Sequence, residues 1–190
     1  MRIRFVGVWE TVGALGIPDV LPVASFRHPW LFHNNVLTSG VEAAYQALAI
    51  DEQRPGYTPT LWQMQRNALH RQVLQQVWFP GGHEDVGGGR TETGLSDISL
   101  LWMKERAQRC GLRFREGLLE AECSPNALAQ LSAAPGRHRH TGERTNTFGS
   151  WSGIINEVVH QSAVERLRRD PSYKPPYLVR YLERGGRVVQ

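Results

Sequence analysis

The stretch QVWFPGGHEDVGGG, residues 76–89, decides how this chain is read. Val73, Leu74, Val77, Trp78 and Phe79 make a dense apolar run that stops at Pro80, the pattern of a core strand. The glycine-rich segment 81–89 follows at once, so it is delivered at that strand's carboxyl end, carrying His83 and Asp85. Its glycines are expected to let the backbone turn closely past the sheet edge rather than to cradle an anion. Asp85 is a candidate for orienting the loop.

Upstream, Ile3, Phe5, Val6 and Val8 lead to Trp9 in a β-rich run that reads as a buried central strand of a parallel sheet, with Glu10 directly after it. Residues 13–35, rich in Gly, Pro, His and aromatics, read as loop. Val41, Ala44, Tyr45 and Leu48 fall at i, i+3, i+4, i+7, which predicts an amphipathic helix over 39–51. Downstream, Leu95, Ile98, Leu101 and Trp102 predict a helix over 95–110 with Gly111 as its stop. Ser124 and Pro125 suit the cap and first turn of a short helix ending near residue 134. Residues 135–147 read as a mobile basic loop, 158–169 as a last helix and 170–190 as a tail, extended in part.

Alternating strands and helices specify the α/β class, here three layers with a mostly parallel sheet and flanking helices. In open sheets of this class chemistry collects outside the carboxyl ends of the strands. Glu10 and His83 sit at two such ends. A carboxylate that fixes an imidazole's tautomer, and the imidazole that moves a nucleophile's proton, are the last two members of a hydrolytic triad.

At 190 residues, 41% hydrophobic and 21% charged, the chain has the size and composition of one globular domain, which excludes collagenous, coiled-coil and wholly disordered classes. No apolar run approaches the ~20 residues of a membrane helix, and the start MRIRFVGVWETVG lacks the pattern of a signal peptide, so a cytoplasmic location is expected. The net charge of +4 is concentrated in Arg137, Arg139 and Arg144 and in Arg166, Arg168 and Arg169. Without interleaved aromatics these read as a solvated loop and a solvated helix face, not as a nucleic-acid surface. Cys110 and Cys123 are expected as buried reduced thiols. His138 and His140 lack further ligands to complete a metal shell, and no cofactor is expected. His160 is expected to cap or pack against the last helix. Trp9, Trp62, Trp78 and Trp102 are expected in the core and pocket wall.

The segments VGVWETVG (6–13), AYQALAIDEQRP (44–55), QVWFPGGHEDVGGG (76–89), GLSDISLLWM (94–103) and EVVHQSAVERL (157–167), in this order, resemble the uncharacterised α/β-hydrolase domain family that includes the catalytic domains of type VI secretion phospholipase effectors. The resemblance implies that the triad acid is Glu10, where the family usually has Asp, and that the histidine is His83. It also implies a serine in a Gly-x-Ser-x-Gly elbow upstream of the acid. Nine residues precede Glu10. Ser96, beside Gly94, lies after His83 and is expected to cap a helix, and Ser150 and Ser152 fit no elbow spacing.

Residues 1–190 are therefore expected to form a single, incomplete hydrolase-like domain: the acid-and-histidine portion of an esterase or lipase for carboxylic esters, phospholipids among them, inactive until an N-terminal segment completes it. The alternative is a non-catalytic remnant or interaction module that binds an acidic partner through its basic surface. The incomplete sheet implies homo-association through an exposed edge, and the effector resemblance implies export by a signal-peptide-independent route.

Overall fold

A computed structural model describes residues 2–11, 36–54, 57, 59–64, 72–132 and 157–190. Five strands, β1 Val6–Trp9, β2 Ala43–Ala49, β3 Val73–Phe79, β4 Glu157–His160 and β5 Val188–Val189, lie side by side in chain order, and every pair is parallel. The register aligns Trp9 with Ala47, Ala49 with Phe79 and Val77 with Val158. The helices are α1 His83–Gly87, α2 Gly94–Arg109, α3 Leu118–Glu122, α4 Gln161–Arg169 and α5 Pro176–Glu183.

Side-chain parity along the strands divides the core into layers. Ala43, Tyr45, Ala47 and Ala49 of β2, with Val77 and Phe79 of β3, pack against Val86, Trp102 and Met103 of α1 and α2. Leu48 and Trp78 face the other way and meet Ala163, Leu178 and Tyr181 of α4 and α5. Covering both faces is what an all-parallel sheet requires. Trp78 and Trp102 are core residues, while Trp9 and Trp62 pack half-buried at its margin.

The expected helix over 39–51 is strand β2. Every β2 residue is buried, with Ala44, Ala47, Leu48 and Ala49 at 0% exposure. A strand buried on both faces shows no alternation, and its unbroken apolar run contains helix-spaced positions by coincidence. Gln46, also fully buried, sends Nε2 to Thr11 Oγ1 at 2.7 Å and Thr60 O at 3.2 Å. Gln76 of β3 exchanges two hydrogen bonds with the Trp62 backbone. These two amides tie segment 59–64 to the sheet. β1, expected at the centre, is half-buried and, among the described residues, pairs as a strand with β2 alone.

The helix expected over 95–110 forms with its stop: Gly111 has φ +94°, its N–H bonds Gln108 O, and Leu112 N–H bonds Ala107 O, a Schellman closure. No helix starts at Ser124. Ser124 N–H is drawn to Asp97 Oδ2 at 2.8 Å, and the Ala127 and Ala129 carbonyls are taken by Arg166 Nη1 at 2.9 and 2.7 Å, which withdraws them from helical pairing. The last helix begins at Gln161 rather than 158, because the β-branched, buried Val158 and Val159 extend the sheet. His160 caps that helix, its Nδ1 accepting from Ser162 N–H. The expected tail holds α5, opened by Pro176 in its first turn, and β5.

Cys110 and Cys123 are free thiols, each half-buried. Arg166, read as part of a solvated face, is 5% exposed and crosses the fold to the segment after α3, while Arg168 and Arg169 are exposed. Replacing it orphans two carbonyls. Arg166→Ala is expected to lower the free energy of urea unfolding by about 3 kcal/mol. Arg169→Ala, which removes only an exposed pair with Glu165, is expected to change it by less than about 0.5 kcal/mol.

Candidate functional site

The carboxyl ends of β1, β2 and β3 are stitched at one level. Glu10 N–H bonds Ala47 O at 2.9 Å, Ile50 N–H bonds Phe79 O at 2.9 Å, and Asp51 N–H bonds Gly81 O at 3.0 Å. Past its ladder bond Glu10 turns at φ +42°, a left-handed backbone that costs a non-glycine residue roughly 1 kcal/mol or more. The turn brings a fully buried carboxylate back beneath the sheet end. Its Oε1 accepts the Ala49 N–H at 2.5 Å and its Oε2 lies 3.2 Å from His83 Nδ1. The tautomer that serves this carboxylate carries its proton on Nδ1, which leaves Nε2 as the acceptor. The Glu10 side chain has no exposure, whereas the imidazole is 29% exposed.

His83 is placed by the strand-to-helix loop. Gly81 stands at φ +111°, where an added Cβ would lie 2.5 Å from the Asp85 Cβ, so only glycine fits. Its N–H bonds Asp51 Oδ2 at 2.7 Å, and the Tyr173 hydroxyl donates to the same oxygen at 2.9 Å. Asp85 closes the first turn of α1 by accepting Gly82 N–H at 2.9 Å, and it also takes Ser132 Oγ at 2.7 Å and Arg90 Nη1 at 2.6 Å. Burial pushes the Asp85 carboxyl up, but these hydrogen bonds together hold it below the usual carboxylate range. The sequence candidate Asp85 thus engages the loop, Ser132 and Arg90, while Glu10 is the carboxylate at the imidazole.

Sequence reasoning passed over Asp51 and Glu52. Both sit at the end of β2, and assigning that segment to a helix hid the fact that an acidic pair emerges at the sheet edge. Glu52 is buried, and its Oε2 accepts the His83 N–H at 3.1 Å. Burial pushes its carboxyl up, but the hydrogen bonds and charge of Arg54, with the His83 amide, bring it down to about 2.

Ser96 does not cap α2. Its hydroxyl bonds the Thr93 carbonyl at 3.0 Å, while Asp97 accepts from Thr93 Oγ1 and Ser124 N–H. Ser99 links Val86 O to the Trp9 indole. Among the described residues no group of three His, Cys, Asp or Glu side chains could hold a metal, and no helix is long and apolar enough to cross a membrane. Arg137, His138, Arg139, His140, Arg144, Ser150 and Ser152 lie outside the described residues.

The profile of the T6SS phospholipase effector Tle1-like catalytic domain matches residues 1–106, more than half of the chain. The uncharacterized protein YEL023C of Saccharomyces cerevisiae is 33% identical over 91 residues, covering 43% of this chain and 11% of the yeast protein. The chain thus spans about one-ninth of that relative's length. No solved structure matches the chain.

Asp51 gives the site a pH signature. Burial outweighs the hydrogen bonds from Gly81 and Tyr173 and raises its carboxyl from 3.8 to about 6. A folded pKa above the unfolded one means that the folded protein holds the extra proton between about pH 4 and 6, so stability falls as pH rises through that window. Asp51→Asn keeps an oxygen for both donors and removes the buried charge. Relative to the wild type, its unfolding free energy in urea is expected to be unchanged near pH 4 and higher by roughly 2 kcal/mol at pH 7.

Proposed function

Because the chain belongs to the T6SS phospholipase effector Tle1-like catalytic domain family, we propose that it carries the acid and the histidine of a serine-hydrolase triad acting on carboxylic esters, with phospholipid acyl esters as the favoured class. The observation that carries this reading is the fully buried Glu10 carboxylate 3.2 Å from Nδ1 of a partly exposed imidazole, at the carboxyl edge of a parallel sheet. His83 Nε2 removes the proton from the attacking hydroxyl as its oxygen bonds the ester carbonyl carbon. It returns that proton to the departing alcohol, and water then releases the acyl group by the same route. Glu10 stabilises the imidazolium formed in each step.

Glutamate suits the place of the family's usual aspartate here because its extra methylene is taken up by the return turn at Glu10 and by the Ala49 amide that pins Oε1. The nucleophile is proposed to come from residues outside the given sequence. Delivery through type VI secretion, and homo-association along the outer edge of β1, extend the proposal; the latter is supported by the strand pairing of β1 with β2 alone among the described residues.

Hydrolysis of short p-nitrophenyl esters and of phospholipid vesicles by the protein as encoded is expected to fall about 10³- to 10⁴-fold in His83→Ala and strongly in Glu10→Gln, with Glu10→Asp retaining part of it. The 190-residue chain alone is expected to be inactive. Turnover that survives both His83→Ala and Glu10→Gln would defeat the triad assignment. Turnover by the isolated chain that His83→Ala abolishes would place the nucleophile inside it. Sedimentation at micromolar concentration is expected to show self-association, and a clean monomer would remove the edge proposal.

A further inference from the structure

We propose that Glu52, Arg54 and Tyr57 form a closed clamp that fixes the plane of the His83 imidazole, which makes Arg54 and Tyr57 positioning residues for the reaction proposed above, on which this inference rests. The clamp closes through four links. Glu52 Oε2 accepts the His83 N–H at 3.1 Å. Arg54 grips both Glu52 oxygens, Nε to Oε1 at 2.9 Å and Nη2 to Oε2 at 2.8 Å, and adds its own N–H to Oε1 at 2.7 Å. The guanidinium carbon lies 3.7 Å from the centre of the Tyr57 ring. The Tyr57 ring in turn stands 4.8 Å from the imidazole, centre to centre, at 80°.

The need for such a device follows from the geometry of the acid. Glu10 meets the imidazole at one atom, and one hydrogen bond fixes a point but not a plane. The ring could tilt about that bond and carry Nε2 away from a nucleophile. A perpendicular aromatic neighbour supplies the second restraint through its edge-to-face contact. Tyr57 is itself held by the cation above it, and that cation by a two-pronged carboxylate pair that a lysine cannot reproduce. The last link returns to the main chain of His83, so the imidazole is braced against its own backbone.

The clamp is not required to hold the loop. Asp85 bonds Gly82, Ser132 and Arg90, and Asp51 exchanges hydrogen bonds with Gly81, so the backbone around His83 is secured without Tyr57. Charge points the same way. Arg54 neutralises Glu52, with Glu84 the other acidic group in its field, so the anion hydrogen-bonded to the ring is Glu10.

The test is the His83 imidazole signal in ¹⁵N-labelled full chain. The wild type is expected to show a hydrogen-bonded Nδ1 proton that exchanges slowly with water. Tyr57→Leu and Arg54→Lys are expected to broaden it beyond detection while the backbone amide spectrum stays folded, and Tyr57→Phe is expected to keep it, because the ring and not the hydroxyl makes the contact. Where the protein as encoded hydrolyses esters, Tyr57→Leu should lower kcat tenfold to a hundredfold with KM within about twofold, and Tyr57→Phe should restore most of it. An unchanged Nδ1 signal in folded Tyr57→Leu overturns the clamp, and if Tyr57→Leu does not fold, the signal in Arg54→Lys decides. The imidazole signal needs no ester, so absence of turnover counts against the triad reading alone.

Discussion

The parallel ladder does not stop where the strands do. Beyond Trp9, Ala49 and Phe79, the bonds from Glu10 to Ala47, Ile50 to Phe79 and Asp51 to Gly81 keep three separate chain exits in step for one or two further residues. A one-residue slip of β1 against β2 would invert the faces of every side chain in it and lift Glu10 off the Ala49 amide. The position of a 3.2 Å contact between residues 73 apart in sequence is thus set by register, and register is set by the buried alanines of the fully buried strand β2. Small side chains in β2 are what allow Tyr45, Trp102 and Phe79 to fill one face while α4 and α5 close the other.

Burial of polar groups at this edge is expensive, and the chain offsets the cost locally. Isolated carboxylates do not survive burial, so each acid here is matched to a main-chain amide or a cation. The amides come from the last residue of β2, which lies beyond the end of its pairing with β1, and from residues that have just left β3. Ala49, Gly81, Gly82 and His83 each direct one such amide at a carboxylate. The irregular end of a sheet thereby becomes a ring of donors without any helix dipole of useful length, since α1 is five residues long.

Much of this was legible in the chain, though unevenly. The strand before Pro80, the glycine-rich turn, the α2 helix with its Gly111 stop, and the two polar exits at Glu10 and His83 all follow from short-range chemistry. The helix expected in place of β2 has a physical reason: a strand buried on both faces loses the alternation that identifies strands, and the i, i+3, i+4, i+7 spacing of Val41, Ala44, Tyr45 and Leu48 fits a helix equally well. β4 was absorbed into α4 because the boundary at His160 is a cap set by one local hydrogen bond rather than a change in hydrophobicity. Arg166 illustrates a third kind of failure: the sequence shows an arginine run on a helix, and only the tertiary fold reveals that one of the three is enclosed by two carbonyls from a segment nearly 40 residues away.

Four carboxylates, Glu10, Asp51, Glu52 and Asp85, converge on one histidine loop, and their surroundings divide the work among them. Asp51 and Glu52 are consecutive in sequence yet driven in opposite directions, to about 6 and about 2, because the first is enclosed by Tyr173 and the glycine turn while the second meets the Arg54 fork. Divergent environments for neighbouring acids are a common way to assign distinct protonation roles within one site. Glu52 and Asp85 are committed to cations and amides, so neither has spare capacity to stabilise an imidazolium. Asp51 holds the turn, with burial raising its carboxyl to about 6. Glu10 alone combines complete burial, an amide that fixes one oxygen, and a second oxygen turned to the ring, and in the proposed reaction a positive charge developing on His83 would gain most from a single anion that is held in place and shielded from water.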